Sequence, residues 1–250
     1  MWNIKKERRT IRKYQEKSIP ESLLNELLEV AARASNTGNM QLYSVVVTRD
    51  QAMKERLAPA HFNQPMVTSA PVVLTVCADA NRFVKWAECR EAEAGFDNLQ
   101  TFMAATIDAC LFAQNFCDAA EEAGLGICYL GTTTYNADQI IGILGLPKLV
   151  VPIVTLTVGY PAEPLPDQPE RLPLAAIVHE ERYADYTPEA IDALYADKEA
   201  LEVNRQFVCE NNKKTLAQVF TDIRYTKANN EHFSEVLLRT LREQGFMGKL

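Results

Sequence analysis

The sequence has few of the residues from which metal sites and disulfide frameworks are built. Histidine occurs only three times in 250 residues, and none of the six cysteines forms a C-x-x-C pair. Because zinc sites and disulfide-rich folds show such spacings, we expect neither, and we predict that the chain holds no metal. Most of the cysteines lie in apolar surroundings, which is typical of small reduced core residues.

Motifs of side-chain catalysis and of the common nucleotide folds are missing as well. The sequence contains no G-x-S-x-G, no H-E-x-x-H, no G-x-x-x-x-G-K-[ST], and no G-x-G-x-x-G after a first strand. These absences argue against a serine hydrolase, a zinc protease, a P-loop protein and a Rossmann fold. His61, His179 and His232 are far apart in the sequence, and we interpret them as structural or solvated.

The sequence also lacks a long apolar run and a basic character. No apolar stretch reaches the roughly 18 residues of a membrane-spanning helix, so we expect no membrane partner. A net charge of -7 and a pI near 5.2 argue against a nucleic-acid partner, which requires a basic face. The first residues become charged at once and show no signal-peptide core, so we expect a cytoplasmic protein.

Short β-branched runs alternate with helical periodicity along the chain. Buried strands are predicted at residues 43–48, 71–78, 126–132 and 150–160. Few strands separated by long helical spans predict an α+β fold, with a small mixed sheet of four or five strands flanked by helices. The longest helix, predicted at 96–123, is apolar nearly all round, so we expect it in the centre of the core or at a subunit interface.

Further predictions concern helix boundaries. Ser18 and Glu21 have the spacing of a capping box with Ser18 as the N-cap, and Thr187 before a proline predicts another helix start. A short helix is predicted around 174–182. From about 201 to 212 the pattern is too weak to predict ordered structure.

An arginine-rich stretch near the start of the chain is the clearest candidate site. Arg8, Arg9, Thr10 and Arg12 place three guanidinium groups and one hydroxyl within five residues of an acidic chain. Guanidinium groups bind phosphate oxygens with two parallel hydrogen bonds, so the stretch fits a clamp for a phosphorylated cofactor. A solvated basic segment is the alternative. With two amide-rich loops and one glycine turn, this inventory suits a cofactor that carries the chemistry itself.

Four parts of the chain resemble motifs of the nitroreductase family of FMN enzymes. They are residues 8–14 (R-R-T-I-R-K-Y), 34–41 (A-S-N-T-G-N-M-Q), 124–131 (G-L-G-I-C-Y-L-G), and 159–162 followed by 171–173 (G-Y-P-A and R-L-P). The last pairing is typical of the branch that contains oxygen-insensitive NADPH nitroreductases and flavin reductases, and the tail resembles that branch's C-terminal extension. The resemblance covers nearly the whole chain.

The resemblance implies a domain-swapped homodimer with two FMN sites at the interface. Residues 1–186 would form the FMN-binding domain, and residues 187–250 a C-terminal helical extension that packs on the dimer. NADPH or NADH would donate electrons, and a nitroaromatic, a quinone or free flavin would accept them in a ping-pong cycle. The choice between NADPH and NADH stays open, because the segment around 204–214 does not align securely.

The resemblance assigns the contacts with the FMN phosphate and the flavin ring to residues whose side chains can form them. Arg8, Thr10 and Arg171 would hold the FMN phosphate, although Pro169 stands where the branch often has a lysine. Arg9 would contact the phosphate or the ribityl chain. Arg12 would lie at the N1 and O2 edge of the ring, where a cation favours the reduced anionic flavin. One loop of the partner subunit would also contact the flavin, through Asn36, Thr37, Gly38, Asn39 and Gln41.

Other residues would surround the ring and the substrate. Gln64 would read the N3 and O4 edge, because a side-chain amide both donates and accepts. Tyr129, Leu130 and Gly131 would line the ring near N5, and Arg224 would meet the nicotinamide cofactor or the substrate. Taken alone, each also has a structural interpretation: the glutamine as loop surface, Tyr129 as core, Gly131 as a turn residue and Arg224 as a surface arginine.

Two other interpretations of the chain stay open. A non-catalytic dimeric protein that binds flavin or another ligand on the same scaffold would hold FMN without oxidising NAD(P)H. An acidic helical interaction module would dimerise through the long helix and bind no cofactor.

Overall fold

A four-stranded sheet organises most of the computed structural model, which describes residues 6–248. Its strands are β1 (Tyr43–Thr48), β2 (Val72–Asp79), β3 (Gly126–Leu130) and β4 (Val150–Gly159), in the order β1-β2-β4-β3. The predicted α+β class with a small sheet flanked by helices is confirmed. The expected mixture of strand directions is not found, because each of the described pairings is antiparallel.

Helices precede, separate and follow the strands. Before β4 they are α1 (Glu21–Ala31), α2 (Gln51–Leu57), α3 (Pro65–Ser69), α4 (Asn81–Glu88), α5 (Leu99–Glu122) and α6 (Ala137–Leu144). After β4 they are α7 (Pro188–Ala200), α8 (Glu202–Glu210), α9 (Leu216–Val219) and α10 (Lys227–Gln244). Short 3-10 turns occupy Thr37–Asn39, Ala58–His61 and Leu174–Ala176, and a π-helical turn occupies Phe220–Arg224.

The described residues group into two units. The first comprises residues 6–167 together with 233–248, and the second comprises residues 168–232. The boundary that we predicted, between 186 and 187, lies inside the second unit. The packing of a C-terminal extension on a dimer stays a prediction.

The long helix α5 supplies the core of the first unit with one face only. Asn98 caps its start by accepting from the Thr101 amide at 3.0 Å, and Gly124 follows its end with a φ of +79°, as predicted. The buried face is mostly small and aromatic side chains, among them Phe102, Ala105, Ala109, Phe112 and Phe116. The opposite face carries an apolar stripe whose members are 41% to 54% exposed: Leu99, Met103, Ile107 and Leu111. In a single chain, this α5 stripe is not covered.

The predicted capping box at the start of α1 was wrong. The helix begins at Glu21, and Pro20 is its N-cap with an extended ψ of 141°. Glu21 is therefore the first helical residue rather than the third after a cap, and Ser18 lies outside the helix. The carbonyl of Pro20 accepts the first helical bond, from the Leu24 amide at 3.0 Å.

In the second unit, the predicted start of α7 is confirmed. The Thr187 hydroxyl accepts from the Ala190 amide at 3.3 Å. The helix predicted around 174–182 was wrong, because only the 3-10 turn forms before Ile177 leaves helical geometry with a φ of -137°.

Helix α8 forms within residues 201–212, for which the sequence pattern did not predict order. Phe207 on this helix lies under the guanidinium of Arg224, with 4.6 Å between the ring centroid and Cζ. Such a tertiary contact supports a helix whose local pattern is weak.

Candidate cofactor site

The arginine stretch, residues 8–12, is joined to the sheet by hydrogen bonds of the chain around it. The Ile11 amide donates to the Ile127 carbonyl on β3 at 3.1 Å, and the Gln15 amide donates to the Tyr160 carbonyl after β4 at 2.9 Å. The Tyr14 hydroxyl donates to the Ile11 carbonyl at 2.7 Å. Because Ile11 and Tyr14 are buried against the sheet, the polar residues between and before them are presented on a fixed backbone.

Two glycines allow this close approach. A Cβ atom on Gly126 would lie 2.5 Å from the Cβ of Ile11. A Cβ atom on Gly159 would lie 2.8 Å from the ring of Tyr14 and 2.7 Å from the ring of Pro71. Any larger residue must displace these neighbours, so the glycines of two of the sequence motifs set the position of the arginine stretch.

Arg8 is held by the long helix α5. Its Nε lies 3.5 Å from Glu121 Oε1 and donates to Cys117 Sγ at 3.4 Å, and its Cζ lies 5.6 Å from the centroid of the Tyr129 ring. Burial acts to lower the pKa of Arg8, but the bond to Cys117 and the charge of Glu121 raise it on balance. Burial also raises the pKa of Glu121, although Arg8 opposes this shift. No local signal in the sequence pointed to Cys117 or Glu121.

The four polar members of the arginine stretch line two cavities. Arg8 and Arg9 line one of about 310 Å³, and Thr10 and Arg12 line one of about 180 Å³. Within the described chain, the Nε of Arg9 is buried without a hydrogen-bond partner. An unpaired guanidinium N–H beside a cavity fits an anion, because burying such a donor unpaired is costly.

The amide-rich loop after α1 has an unusual backbone conformation. Gly38, Asn39 and Gln41 have φ angles of 55°, 55° and 53°, in the left-handed region that costs energy for residues other than glycine. The loop is tied internally, because Asn36 Oδ1 accepts from the Gln41 amide at 3.2 Å. Arg82 on α4 donates to the Gln41 carbonyl. The exposed Asn39 and Gln41 side chains are therefore carried by a constrained backbone.

A buried carboxylate on α5 anchors this loop. Asp108 Oδ1 accepts from the Thr37 amide at 2.8 Å and from the Thr37 hydroxyl at 3.0 Å, and its Oδ2 accepts from the Leu42 amide at 3.1 Å. Both donors of Thr37 are thus used within the chain, and the predicted flavin contact of Thr37 stays a prediction. Asp108 was not identified from the sequence, because its partners lie far away along the chain.

Replacing Asp108 by Asn should loosen the loop. The asparagine amide removes one charged acceptor and places an N–H group opposite a backbone donor. This should lower the free energy of opening the loop by about 2–3 kcal/mol. We expect the Thr37 and Leu42 amides to exchange with deuterium about 30- to 150-fold faster, which native-state hydrogen exchange would measure. The matched control is Asp118→Asn on the same helix, where the carboxylate accepts from Gln114 at 2.9 Å. Equal exchange rates in both variants would contradict the anchoring role.

The segments that carry Gln64 and Gly131 are joined by a buried histidine. His61 Nδ1 lies 2.9 Å from the hydroxyl oxygen of Thr132, which directly follows Gly131. Gln64 is half-buried at the start of α3, and its side chain does not cap that helix. The segments that carry Gln64 and Gly131 are therefore joined through His61 and Thr132, and the ring contacts of Gln64 and Gly131 stay predictions.

The backbone around Gly131 is open. A Cβ atom placed there would meet no atom within 4 Å. Leu130 is buried and packs in the core, while the half-buried Tyr129 donates its hydroxyl to Gln114 Oε1 at 3.4 Å. The side chains of Tyr129 and Leu130 are thus engaged in packing, and open space lies beside Gly131. The contacts of these three residues with a flavin ring stay predictions.

Acid should weaken the fold through His61. Burial lowers the pKa of His61 to about 4, from 6.5 for the free side chain. Below about pH 6.5 His61 becomes protonated in the unfolded chain, whereas in the folded chain it stays neutral until about pH 4. The folded state therefore loses stability as the pH falls. From pH 7 to pH 4 we expect the free energy of unfolding to fall by about 3 kcal/mol more than in the His61→Gln variant, measured by urea denaturation. The exposed His232, changed to Gln, is the control; parallel acid profiles for His61→Gln and the unmodified chain would refute the prediction.

Arg171 and Arg224 both lie in the second unit. Arg171 Nη1 donates to the carbonyls of Glu170 at 3.1 Å and Pro169 at 3.4 Å. Arg224 stacks on Phe207 and lies 5.6 Å from the centroid of Phe220. Their roles toward a phosphate and a substrate stay predictions.

The described residues offer little for metal or thiol chemistry. Within residues 6–248, no three or more His, Cys, Asp or Glu side chains are grouped so that they could hold a metal ion. In the same range, no helix has both the length and the apolar character needed to cross a membrane. Burial raises the pKa of Cys117 to about 11 and that of Cys77 to about 12, so both thiols stay protonated at neutral pH.

Comparison with known proteins gives consistent matches. The model of the nitroreductase family matches residues 6–160. FMN reductase (NADPH) of Bacillus subtilis (strain 168) is 34% identical, over 70% of this chain and 71% of that protein. A solved protein from Bacteroides fragilis NCTC 9343 is 62% identical, with a TM-score of 0.96 over 98% of this chain and 99% of that one. NfrA1 nitroreductase from B. subtilis is 28% identical, with a TM-score of 0.85 over 98% of each chain.

The matched residues include those from which the candidate site of the first unit is built. The arginine stretch, the amide-rich loop, Gln64 and the glycine strand all lie between residues 6 and 160. The predicted resemblance is therefore confirmed, and this chain belongs to the nitroreductase family.

Proposed function

We propose that the protein is a homodimeric, FMN-dependent oxidoreductase that takes electrons from NADPH or NADH. The relatives named FMN reductase (NADPH) and nitroreductase support this assignment. The observation that carries it is that β3 connects a cationic stretch, bonded to it through Ile11 and Ile127, with the open glycine turn that follows the strand. Arg9 carries a buried donor without a partner, and Gly131 has free space beside it.

The residues present fit FMN in charge and in shape. Arg8, Arg9, Thr10 and Arg12 supply donors for a phosphate and for the electron-rich edge of a ring, and an aromatic ring system needs an open surface such as that at Gly131. Bound FMN supplies a hydride acceptor and donor at its N5 atom. The chain's own residues bind, orient and place charge, which is the usual division of labour in a cofactor enzyme.

Each binding residue has a proposed role within this site. Arg8 and Thr10 hold the phosphate, and the family resemblance makes Arg171 a further candidate for a phosphate contact. Arg12 places its cation at the N1 and O2 edge, where charge develops on reduction. Gln64 reads the N3 and O4 edge through its amide, and Arg224 meets the nicotinamide or the acceptor.

A second copy of the chain completes the site. The α5 stripe exposes four large apolar side chains on a helix whose opposite face is buried, which is the pattern of a subunit interface. Asp108, which anchors the amide-rich loop, precedes Cys117 and Glu121, which hold Arg8, by about 14 and 20 Å along the same helix. We therefore assign the partner's loop, rather than the chain's own, to this flavin site.

The proposed acceptors are nitroaromatics, quinones and free flavin, reduced in a ping-pong cycle in the cytoplasm. A panel of these acceptors, run with NADPH and with NADH, tests the activity by steady-state kinetics. We expect parallel double-reciprocal lines when donor and acceptor are varied, because one product leaves before the second substrate binds. Bound FMN without oxidation of either nicotinamide cofactor by any acceptor would support a non-catalytic flavin-binding protein instead.

A further inference from the structure

A third cavity, separate from the two at the arginine stretch, is lined by Tyr14 and the residues that follow it. It measures about 570 Å³ and is formed by residues 14–19, the start of α2, and the chain that joins α3 to β2. None of its lining residues lines either of the two cavities at the arginine stretch. Its volume falls within the range of small-molecule binding sites.

The floor of this cavity contains a buried ammonium group. Lys54 on α2 is 6% exposed, and its Nζ donates to the Ala70 carbonyl at 2.8 Å. Among the residues that the structure describes, no carboxylate oxygen lies within 4.0 Å of this nitrogen. An ammonium has three N–H donors, so two are left for a ligand or water in the cavity. Burial lowers the pKa of Lys54, although the charges of Asp50 and Glu55 oppose this shift.

The rim adds more positive charge. Arg49 and Lys17 also line the cavity, against the single carboxylate of Glu16. Lys17 is positioned by the ring of Tyr160, whose centroid lies 3.9 Å from its Nζ. Three cations against one acid are unexpected in a chain whose net charge is -7. This local excess favours an anion of more than one charge.

The remaining lining suggests how the rest of a ligand would be accommodated. Ser18 and Ser69 supply exposed hydroxyls, and Pro71 and Val72 supply an apolar wall. The cavity is much larger than a phosphate group alone, so there is room for an organic portion beside the cations. A guanidinium and an ammonium together match the oxygens of a terminal phosphate.

We propose that this cavity binds a phosphate monoester, with its phosphate between Lys54 and Arg49 and its organic portion toward the hydroxyls and the apolar wall. The site is independent of the proposed flavin site, since the two share no lining residue. The proposed phosphate monoester site can therefore be tested separately from the proposed electron-transfer activity.

Calorimetric titration tests the site, on protein loaded with FMN and then freed of unbound FMN by gel filtration, because FMN is itself a phosphate monoester. The probes are ribose 5-phosphate, ribose and inorganic phosphate. We expect ribose 5-phosphate to bind with one equivalent per chain, inorganic phosphate to bind more weakly, and ribose not to bind. Arg49→Ala should weaken ribose 5-phosphate at least about tenfold, because it removes a charged hydrogen-bond donor. Arg56→Ala, an exposed arginine of α2 that does not line the cavity, should leave the affinity unchanged.

Several results of the titrations would overturn the proposal or part of it. Absence of heat with ribose 5-phosphate, or equal affinity in the Arg49 and Arg56 variants, overturns the proposal. Inorganic phosphate binding as tightly as the ester overturns the assignment of an organic portion. Lys54→Met is a second variant: if it folds, as circular dichroism would show, it should lose ribose 5-phosphate binding, and retained binding also overturns the proposal.

Discussion

The Gly131→Val variant should fold normally and lose FMN. A side chain at this position meets no atom of the chain within 4 Å, and the φ of Gly131 is not in the left-handed region, so valine costs the fold little. If the flavin ring occupies the open side of Gly131, the two methyl groups must overlap it. We expect the dissociation constant of FMN to rise by at least about 100-fold, which corresponds to a steric cost of about 3 kcal/mol. Fluorescence titration with FMN measures the change.

Two matched variants separate this effect from damage to the fold. Gly95→Val also places valine at an exposed glycine with open space around it, and it should bind FMN normally. Gly126→Ala should instead lower the thermal stability, because its new Cβ would collide with Ile11. If Gly131→Val binds FMN as tightly as the unmodified protein, the flavin ring does not lie beside Gly131.

The Arg12→Leu variant should make the bound flavin harder to reduce. The proposed position of Arg12 at the N1 and O2 edge places a cation where the reduced flavin carries negative charge. A charge-assisted hydrogen bond is worth about 1.5–3 kcal/mol, which for a two-electron couple lowers the midpoint potential by about 30–60 mV when it is lost. Anaerobic titration against reference dyes measures this potential.

The control for Arg12→Leu is Arg90→Leu, which removes the same charge from an exposed arginine whose Nη1 bonds to the Cys89 carbonyl. Its midpoint potential should stay within a few millivolts of the unmodified protein. If Arg12→Leu leaves the potential unchanged but releases FMN, Arg12 binds the phosphate rather than the ring edge. That result would reassign its role within the arginine stretch.

Local patterns were sufficient where neighbouring residues determine the outcome. The strand at 43–48 and the end of α5 before Gly124 were predicted correctly, because β-branched runs and a left-handed glycine act over a few residues. The capping box at Ser18 failed because Pro20 competes for the same helix start. The order of residues 201–212 was missed because it depends on contacts such as that of Phe207 with Arg224.

The sequence motifs identified the candidate binding residues but not the side chains that hold those residues in place. The arginine stretch and the glycine strand were identified because their composition is unusual for an acidic chain. Asp108 and Glu121 were not, since each bonds to a partner more than seventy residues away, and a buried polar contact leaves no periodic signal. His61 was interpreted as structural or solvated, but its partner Thr132 was not foreseen. Whether Arg8 turns toward a phosphate or toward α5 is decided by packing, which a short motif does not encode.

The absorption spectrum of the purified protein, before and after anaerobic addition of NADPH, tests the central claim most directly. We expect a yellow protein with flavin absorption bands, on the order of one FMN per chain, that bleaches when NADPH is added. A colourless protein that gains no flavin band after incubation with FMN would contradict it.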